Sequence, residues 1–499
     1  MTMLKKILTS RVYDIAIRTP LTPVKKLKAV ANNRVLLKRE DLQPVFSFKI
    51  RGAYNRIAQL TREESQNGII CASAGNHGQG VAMSAKSLSL KAMIVMPETT
   101  PKIKVDAVSS LGAEVVLWGD NYSDAYQRAK EISKDTGATM VHPFDDPLVI
   151  AGQGTVGKEI FEDCPDVDAV FVPIGGGGLA AGVASYLKEV SPKTHIVGVQ
   201  PIDSDAMYKS IEMGKRVTLD KVGIFADGVA VRQVGKITFE LCQSHLDGII
   251  KVSTDDIASA ISDIYKETRA IMEPAGALAL AGLKNYVRNS KITGKTLIAI
   301  SSGANMNFQR LKFVAERAST GAGREALLAI KLKEQPGTLK DLCKVIGSRA
   351  FTEFNYRKSD QVDAYIFAGI ALEEENEHRE LTLRLEKSQY EFQDLTDNEF
   401  AKEHLRHMVG GQAPAAKRER LIHFKFPERP GALGEFLELA SNRWNISLFH
   451  YRCHGADFGR VLIGFEVDRL HDHDFNNFLN QVDYQYTDET DNPAVSLFL

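Results

Sequence analysis

Apolar and polar positions change their rhythm along the chain. Up to about residue 320, short runs rich in β-branched residues alternate with amphipathic stretches. The runs 35–38, 92–96, 114–117, 169–174, 195–199 and 296–300 are mostly apolar, which predicts strands buried on both faces. Segments 79–87 and 179–190 between them read as helices. Such alternation predicts an α/β fold around a parallel sheet.

Residues 318–324 are small and polar, the composition of a linker. Beyond them the sequence repeats itself. Residues 324–339 (REALLAIKLKEQPGTL) return at an offset of 94 as 418–433 (RERLIHFKFPERPGAL), and TEFNYR at 352–357 matches SLFHYR at 447–452 at an offset of 95. Each copy reads strand, Pro-Gly turn, helix, strand, strand, helix, strand. Pro336 and Pro430 suit the first position of a helix. That order is the α+β ferredoxin-like plan. The expected organisation is a large unit over 1–320 and two small modules over 324–397 and 418–499. Residues 373–380, rich in Glu and His, predict a solvated helix face, and 410–416 a short hinge. A duplicated small module behind a complete α/β unit fits a ligand sensor, or plain structural duplication.

Composition narrows the picture further. The chain has 499 residues, 44% hydrophobic and 25% charged, which excludes a disordered chain. Its 62 basic and 63 acidic residues leave a net charge of −1, so bulk electrostatics points to neither nucleic acid nor a membrane surface. Five cysteines (Cys71, Cys164, Cys242, Cys343, Cys453) are scattered without a C-x-x-C pair, as expected for reduced thiols. No apolar run reaches the ~18 residues of a membrane span. The first eleven residues lack the apolar stretch and cleavage site of a secretion signal. A cytoplasmic location is expected.

Four short motifs carry candidate chemistry. Lys49, between Phe48 and Ile50, is placed to lose water, and desolvation lowers a lysine's pKa toward the range that Schiff-base chemistry needs. Ser73-Ala74-Gly75-Asn76-His77 follows an apolar pair and precedes a helical run; it fits either a carboxylate site at a helix N-terminus or a tight turn. Gly175-Gly176-Gly177-Gly178-Leu179 sits between a strand and a small-residue helix, where consecutive N–H groups suit a phosphate. Ser302 follows the run 296–300 and fits a helix cap or a partner for a ring nitrogen. Gly152-Gln153-Gly154-Thr155-Val156-Gly157 matches G-x-G-x-x-G, but no strand leads directly into it, so it predicts helix-entry packing and not a dinucleotide site. Strand-to-helix junctions of a parallel sheet share one edge. A lysine, a polar loop, a phosphate cradle and a hydroxyl converging there suit pyridoxal phosphate.

With these motifs, and with KREDLQPVFSFK at 38–49 and Ser302-Gly303-Ala304-Asn305, the chain resembles the fold-type II pyridoxal-phosphate enzymes. Within them it resembles the biosynthetic threonine dehydratases, which carry two ACT-like regulatory modules. The resemblance covers nearly the whole chain. It implies a two-lobed catalytic unit in which Lys49 forms the Schiff base and handles the Cα proton. Phe48 would pack on the cofactor ring and Asn76 bond its hydroxyl. Gly175, Gly176, Gly177, Gly178 and Leu179 would hold the phosphate, and Ser302 would meet the pyridine nitrogen. Ser73, Ala74, Gly75 and His77 would grip the substrate carboxylate. The implied reaction turns L-threonine into 2-oxobutanoate and ammonia, with L-serine as a second substrate. It implies isoleucine as inhibitor, valine as activator and a homotetramer. Phe354, Tyr356, Phe449 and Tyr451 on the repeated strands are candidates for the effector pocket, or ordinary core aromatics. A serine racemase or serine-preferring lyase of the same fold, and an amino-acid sensor without cofactor, are the alternatives.

The racemase-like relatives bind a divalent cation through an acid six residues before the Asp of Ala-Asp-Gly-Val. Here that Asp is Asp227 and the earlier position is Lys221, so no metal ligands are assigned and Lys221 is the candidate stand-in for the cation. Glu273 lies in a stretch that recurs near the site.

Overall fold

The computed structural model describes residues 2–498 except 28, 29, 31, 334–337, 356–362, 374, 375, 408–417, 428–435, 437, 438, 440–442, 453–457 and 483. It divides into two compact units, Met1–Ala318 and Ser319–Leu499.

Among its described residues the first unit contains ten strands: β1 (Leu21–Pro23), β2 (Arg34–Arg39), β3 (Ile69–Ala72), β4 (Ala92–Met96), β5 (Glu114–Leu117), β6 (Thr139–Met140), β7 (Ala169–Pro173), β8 (His195–Pro201), β9 (Gly248–Val252) and β10 (Thr296–Ser301). They form two sheets, hence two lobes. The larger has the order β1-β2-β10-β7-β8-β9 and is parallel apart from β1; the smaller is β5-β4-β3-β6, all parallel. The central strands β7 and β10 are buried along almost their whole length, as their unbroken apolar runs require. Their two faces feed separate cores: Phe171, Leu297 and Ala299 pack one way, and Val170, Val172, Ile298 and Ile300 the other.

The G-x-G-x-x-G match lies inside the helix Pro147–Asp163 rather than at its entry. Its glycines let backbones meet. A Cβ on Gly152 would stand 2.6 Å from the Arg51 carbonyl, and one on Gly182 of the helix Gly178–Val190 would stand 2.4 Å from the Ile150 carbonyl.

A buried ionic network fixes the region ahead of Lys49. Lys38 on β2 bonds Glu159 at 2.6 Å, and Arg51 bonds both Glu40 (2.7 Å) and Glu159 (2.6 Å), with all four side chains fully buried. Two cations against two anions make the group neutral, the condition under which buried charge is tolerated. Thr19 and Tyr13 take further carboxylate oxygens through their hydroxyls. This explains Lys38 and Glu40 of the 38–49 motif, which with Glu159 anchor Arg51 and its helix Lys49–Ile57, while Arg39 and Asp41 pair with each other at 2.7 Å.

The second unit holds β11 (Glu325–Lys333), β12 (Phe351–Asn355), β13 (Asp363–Ala371), β14 (Phe392–Asp394), β15 (Glu419–Pro427), β16 (Asn445–Arg452), β17 (Phe458–Glu466) and β18 (Gln485–Asp488). They form two antiparallel sheets of equivalent order, β12-β13-β11-β14 and β16-β17-β15-β18, which is the ferredoxin-like arrangement. The sheets share a core containing Leu327, Ala329 and Phe367 of one copy and Leu421 and Leu462 of the other. Asn398 and Asn492, equivalent positions 94 residues apart, hydrogen-bond each other at 3.2 Å. The 318–324 stretch is only partly a linker, because the helix Arg310–Gly321 runs through its first half and Thr320 is buried. The 373–380 segment starts the helix Glu377–Lys387. The Pro-Gly turns and the 410–416 hinge lie outside the described residues. Among the described residues no helix is long and apolar enough to cross a membrane. Cys71, Cys164 and Cys242 are free and buried, Cys343 is free and exposed, and Cys453 lies outside the described residues.

Candidate active site

The C-terminal ends of β2, β10 and β7, neighbours in the larger sheet, and of β3 in the smaller one carry the four motifs. After β2 the chain turns at Phe46, whose φ of 55° is unusual for a bulky residue. That turn is held from both sides: Phe46 N–H donates to the Gln43 carbonyl at 2.7 Å, and Ala304 N–H donates to the Phe46 carbonyl at 2.9 Å. Phe48 N–H then donates to the Ser302 carbonyl at 3.2 Å, joining the lysine loop to the serine loop.

Lys49 opens its helix with its amine on the Pro143 carbonyl at 2.9 Å. Desolvation lowers its pKa to about 8, partly opposed by the negative charge of Glu273. Phe48 lies beside it, the ammonium 5.4 Å from the ring centre. In the turn before Phe144, His142 Nδ1 accepts the N–H groups of Phe144 (3.2 Å) and Asp145 (2.8 Å).

Gly175–Leu179 lies between β7 and the helix Gly178–Val190. Side chains are excluded there: a Cβ on Gly176 would come within 2.3 Å of the Phe144 ring, and one on Gly175 within 2.9 Å of Val229 Cα. Gly177 has φ +98°, which favours glycine outright. Thr238 Oγ1 donates to the Gly176 carbonyl at 2.6 Å, fixing that peptide. The loop feeds a 13-residue helix whose first N–H groups lack intrahelical acceptors.

Asn76 starts the helix Asn76–Ser87, capped by Gly75. Its Nδ2 donates to Glu273 Oε1 at 2.6 Å, and its Oδ1 accepts from Asn305 Nδ2 at 2.6 Å. Ser73 Oγ accepts the Gly75 N–H at 3.2 Å. Ser73, Ala74 and Gly75 are partly exposed at this mouth. The His77 ring points elsewhere: Nε2 meets the Val141 carbonyl at 2.9 Å, and burial lowers its pKa to about 3. A carbonyl only accepts, so Nε2 holds the proton, Nδ1 is a lone pair, and the ring offers a carboxylate no donor. Its backbone N–H, in the first turn, remains suited to one. Ser302 is buried, its hydroxyl donating to the Ala275 carbonyl at 3.2 Å.

Behind Asn76 lies a second charged group. Burial and the nearby Asp227 raise Glu273 to a pKa of about 7, opposed by the Asn76 bond and by Lys104 and Arg310. Lys104, on the helix Lys102–Ser110 of the smaller lobe, reaches Asp227 at 2.7 Å, and Arg310 reaches it at 3.2 Å. These cations hold Asp227 well below the usual carboxylate range despite its desolvation. Lys221 is exposed, and the cations on Asp227 are Lys104 and Arg310, which corrects the expectation for Lys221. Neither pairing was readable from spacing, since the charges lie 123 and 83 residues from Asp227. Asn305 stands in the Ser302–Asn305 motif, but its hold on Asn76, 229 residues away, has no signature in the sequence.

In the second unit Phe354 on β12 and Phe449 on β16 are each 39% exposed, at equivalent positions. Tyr356 and the side chain of Tyr451 lie outside the described residues.

The site thus joins a lysine of depressed pKa, a side-chain-free loop at a helix N-terminus and a buried hydroxyl. These fit a cofactor with an aldehyde, a phosphate and a ring nitrogen. In agreement, residues 12–303 match the family model of pyridoxal-phosphate dependent enzymes, which defines the class. Residues 316–405 and 410–499 each match the C-terminal regulatory domain of threonine dehydratase. The chain is 51% identical to the L-threonine dehydratase biosynthetic IlvA of Burkholderia multivorans, covering 99% of each chain. It is 48% identical to that of Escherichia coli, over 99% of this chain and 96% of the relative. The solved processed form of threonine deaminase isoform 2 from Solanum lycopersicum superposes with a TM-score of 0.62 at 50% identity, covering 63% of this chain and 92% of that one. Maize serine racemase gives 0.59 at 30%, covering 62% and 96%. The chain belongs to the biosynthetic threonine dehydratase family, with a fold-type II catalytic unit and two regulatory domains.

Proposed function

We propose that the protein converts L-threonine to 2-oxobutanoate and ammonia by pyridoxal-phosphate dependent β-elimination, as the first step of isoleucine synthesis. The observation that carries this reading is the Lys49 amine, desolvated to a pKa of about 8 and held on the Pro143 carbonyl, next to Phe144, whose ring packs on the glycine loop. The cofactor, when bound, supplies the electron sink that makes the substrate's Cα proton removable. The chain supplies the rest. Lys49 would hold the cofactor through Nζ, and the same amine, with its lowered pKa, would accept the substrate's Cα proton. Phe48 would pack on the ring, and Asn76, held by Glu273 and Asn305, would bond its hydroxyl. Gly175–Leu179 would bind the phosphate through backbone N–H groups, and Ser302 would meet the ring nitrogen. Ser73, Ala74, Gly75 and the His77 backbone N–H bind the substrate carboxylate. Lys104 ties the smaller lobe to Asp227.

L-serine is a second substrate on this reading. The tandem modules bind isoleucine as inhibitor and valine as activator, with Phe354, Phe449, Tyr356 and Tyr451 as pocket candidates; the matched exposure of the two phenylalanines supports this. A cytoplasmic homotetramer organised as 1–320, 324–397 and 418–499 completes the proposal. The test is 2-oxo acid release from threonine, with and without isoleucine. Wild type should produce 2-oxobutanoate, and Lys49→Ala should lose at least about four orders of magnitude. Full activity in Lys49→Ala refutes the chemistry, and indifference to isoleucine refutes the regulatory part.

A further inference from the structure

In the second unit, four metal-capable side chains meet where the segment after the first module packs on the sheet of the second. Glu403 ends the helix Glu399–Glu403, and His404 follows it. His423 on β15 and His450 on β16 are both in register with Leu462 of β17, one on each side. They therefore stand on one face of the sheet, in a row across three strands. Leu462 belongs to the core shared by the modules, so that face points into the shared core.

The contacts are close. His404 Nδ1 lies 2.9 Å from His450 Nδ1, and His423 Nε2 lies 3.4 Å from Glu403 Oε2. The His404 ring stands nearly perpendicular to those of His423 (84°) and His450 (76°). His404 and Glu403 are buried, and His423 Nε2 is a buried nitrogen that makes no hydrogen bond. A buried polar atom in that state calls for an explanation.

Sheet structure alone does not require these imidazoles. At the equivalent registers the first module carries Ala329 and Asn355, and it builds the same four-stranded sheet. Three imidazoles and a carboxylate are, however, the donor set of zinc-class ions. Metal–ligand bonds of about 2.0–2.1 Å place tetrahedral donors about 3.3–3.4 Å apart. The His404–His450 and His423–Glu403 pairs are already near that spacing. The donors of Glu403, His404 and His423 lie within 4.8 Å of one another, so His404 must approach the His423–Glu403 pair by up to about 1.5 Å, bringing His450 with it. Arg460 Nε, 3.5 Å from Glu403 Oε1, holds the far oxygen and leaves Oε2 directed at His423.

We propose that Glu403, His404, His423 and His450 form a binding site for one divalent transition-metal ion of the zinc class, which pins the inter-module segment to the second module. The ion replaces the proton shared between His404 and His450 and takes up the lone pair of His423. The site is separate from the catalytic unit and independent of the catalytic proposal.

The test uses the full-length holoenzyme stripped of metal by a chelator and titrated with Co2+, whose visible d–d bands report coordination, followed by competition with Zn2+. One Co2+ per chain should bind with an intense tetrahedral band and be displaced by Zn2+. His423→Ala and His450→Ala should each weaken binding at least tenfold, roughly. Glu403→Gln keeps the shape of the side chain and should also weaken binding; it serves where a histidine variant does not fold. Failure to bind one equivalent, or a weak octahedral spectrum indifferent to these substitutions, overturns the proposal. Because the readout is metal stoichiometry and spectrum, it is unaffected by whether threonine is the substrate.

Discussion

The catalytic unit contains two charged clusters of opposite character. Lys38, Glu40, Arg51 and Glu159 are fully buried and balanced, two against two, with every charge in direct contact with a counter-charge. Around Asn76, Lys104 and Arg310 both contact Asp227, while Glu273 is left with an amide as its hydrogen-bond donor. The first cluster holds the Lys49 helix in place. The second has one carboxyl near its titration point at neutral pH. Balanced buried charge fixes geometry, whereas unevenly shared charge leaves a group ready to change state.

Breaking the balanced cluster should have the largest effect on stability. Glu159→Gln leaves Lys38 and half of Arg51 without their anion, and should cost about 3–5 kcal/mol by urea unfolding. A cost under 1 kcal/mol would refute the idea that this network is a sealed, load-carrying unit.

In the second cluster, Lys104→Met should change function more than stability. The two lobes lose a bridge, and kcat/KM for threonine should fall about tenfold or more. Arg310 still holds Asp227, so unfolding free energy should change by less than about 1 kcal/mol. Lys104 also lowers the Glu273 pKa, so the limb of the pH–rate profile due to Glu273 should move to higher pH. An unmoved profile would remove Lys104 from this role.

Glu273 makes a thermodynamic prediction of definite sign. Its folded pKa of about 7 lies above the ordinary 4.5, so between those values the folded state binds the proton more tightly than the unfolded state. Its contribution to stability is complete below about pH 4.5 and is lost as pH rises through about 7. Glu273→Gln should flatten that part of the stability–pH curve, measured by denaturant titration at several pH values. A smaller effect is expected from an exposed pair. Arg418→Ala, which breaks the contact with Asp472 at the surface, should cost no more than about 1 kcal/mol.

The contrast also explains what the sequence made legible. Strands such as β7 and β10 announce themselves because both faces are buried. The run at β5 predicts a strand buried on both faces, but β5 is a half-exposed edge strand; β9 (Gly248–Val252), broken by Gly248 and Lys251, and β6, two residues long, carry no such run. The four loops of the site are local motifs that end strands, and a parallel sheet brings such ends together. Charge pairing is different in kind. A cation near Asp227 was anticipated, but from the neighbouring Lys221, when the fold supplies Lys104 and Arg310 from distant segments. The polarity of His77 suggests a ligand contact, and only the position of Val141 reveals where its ring is spent.

The contact between Asn398 and Asn492 has a wider meaning. Equivalent residues of two copies touch one another only where a two-fold axis passes between them. The two modules therefore meet as the halves of a symmetric dimer would, with a peptide chain joining the partners. Fusion turns their association into an intramolecular event at high effective concentration, so the pair stays assembled however dilute the protein is. It also frees the copies to diverge, since a change in one is no longer imposed on the other. The imidazole row of the second module, absent from the first, is such a divergence.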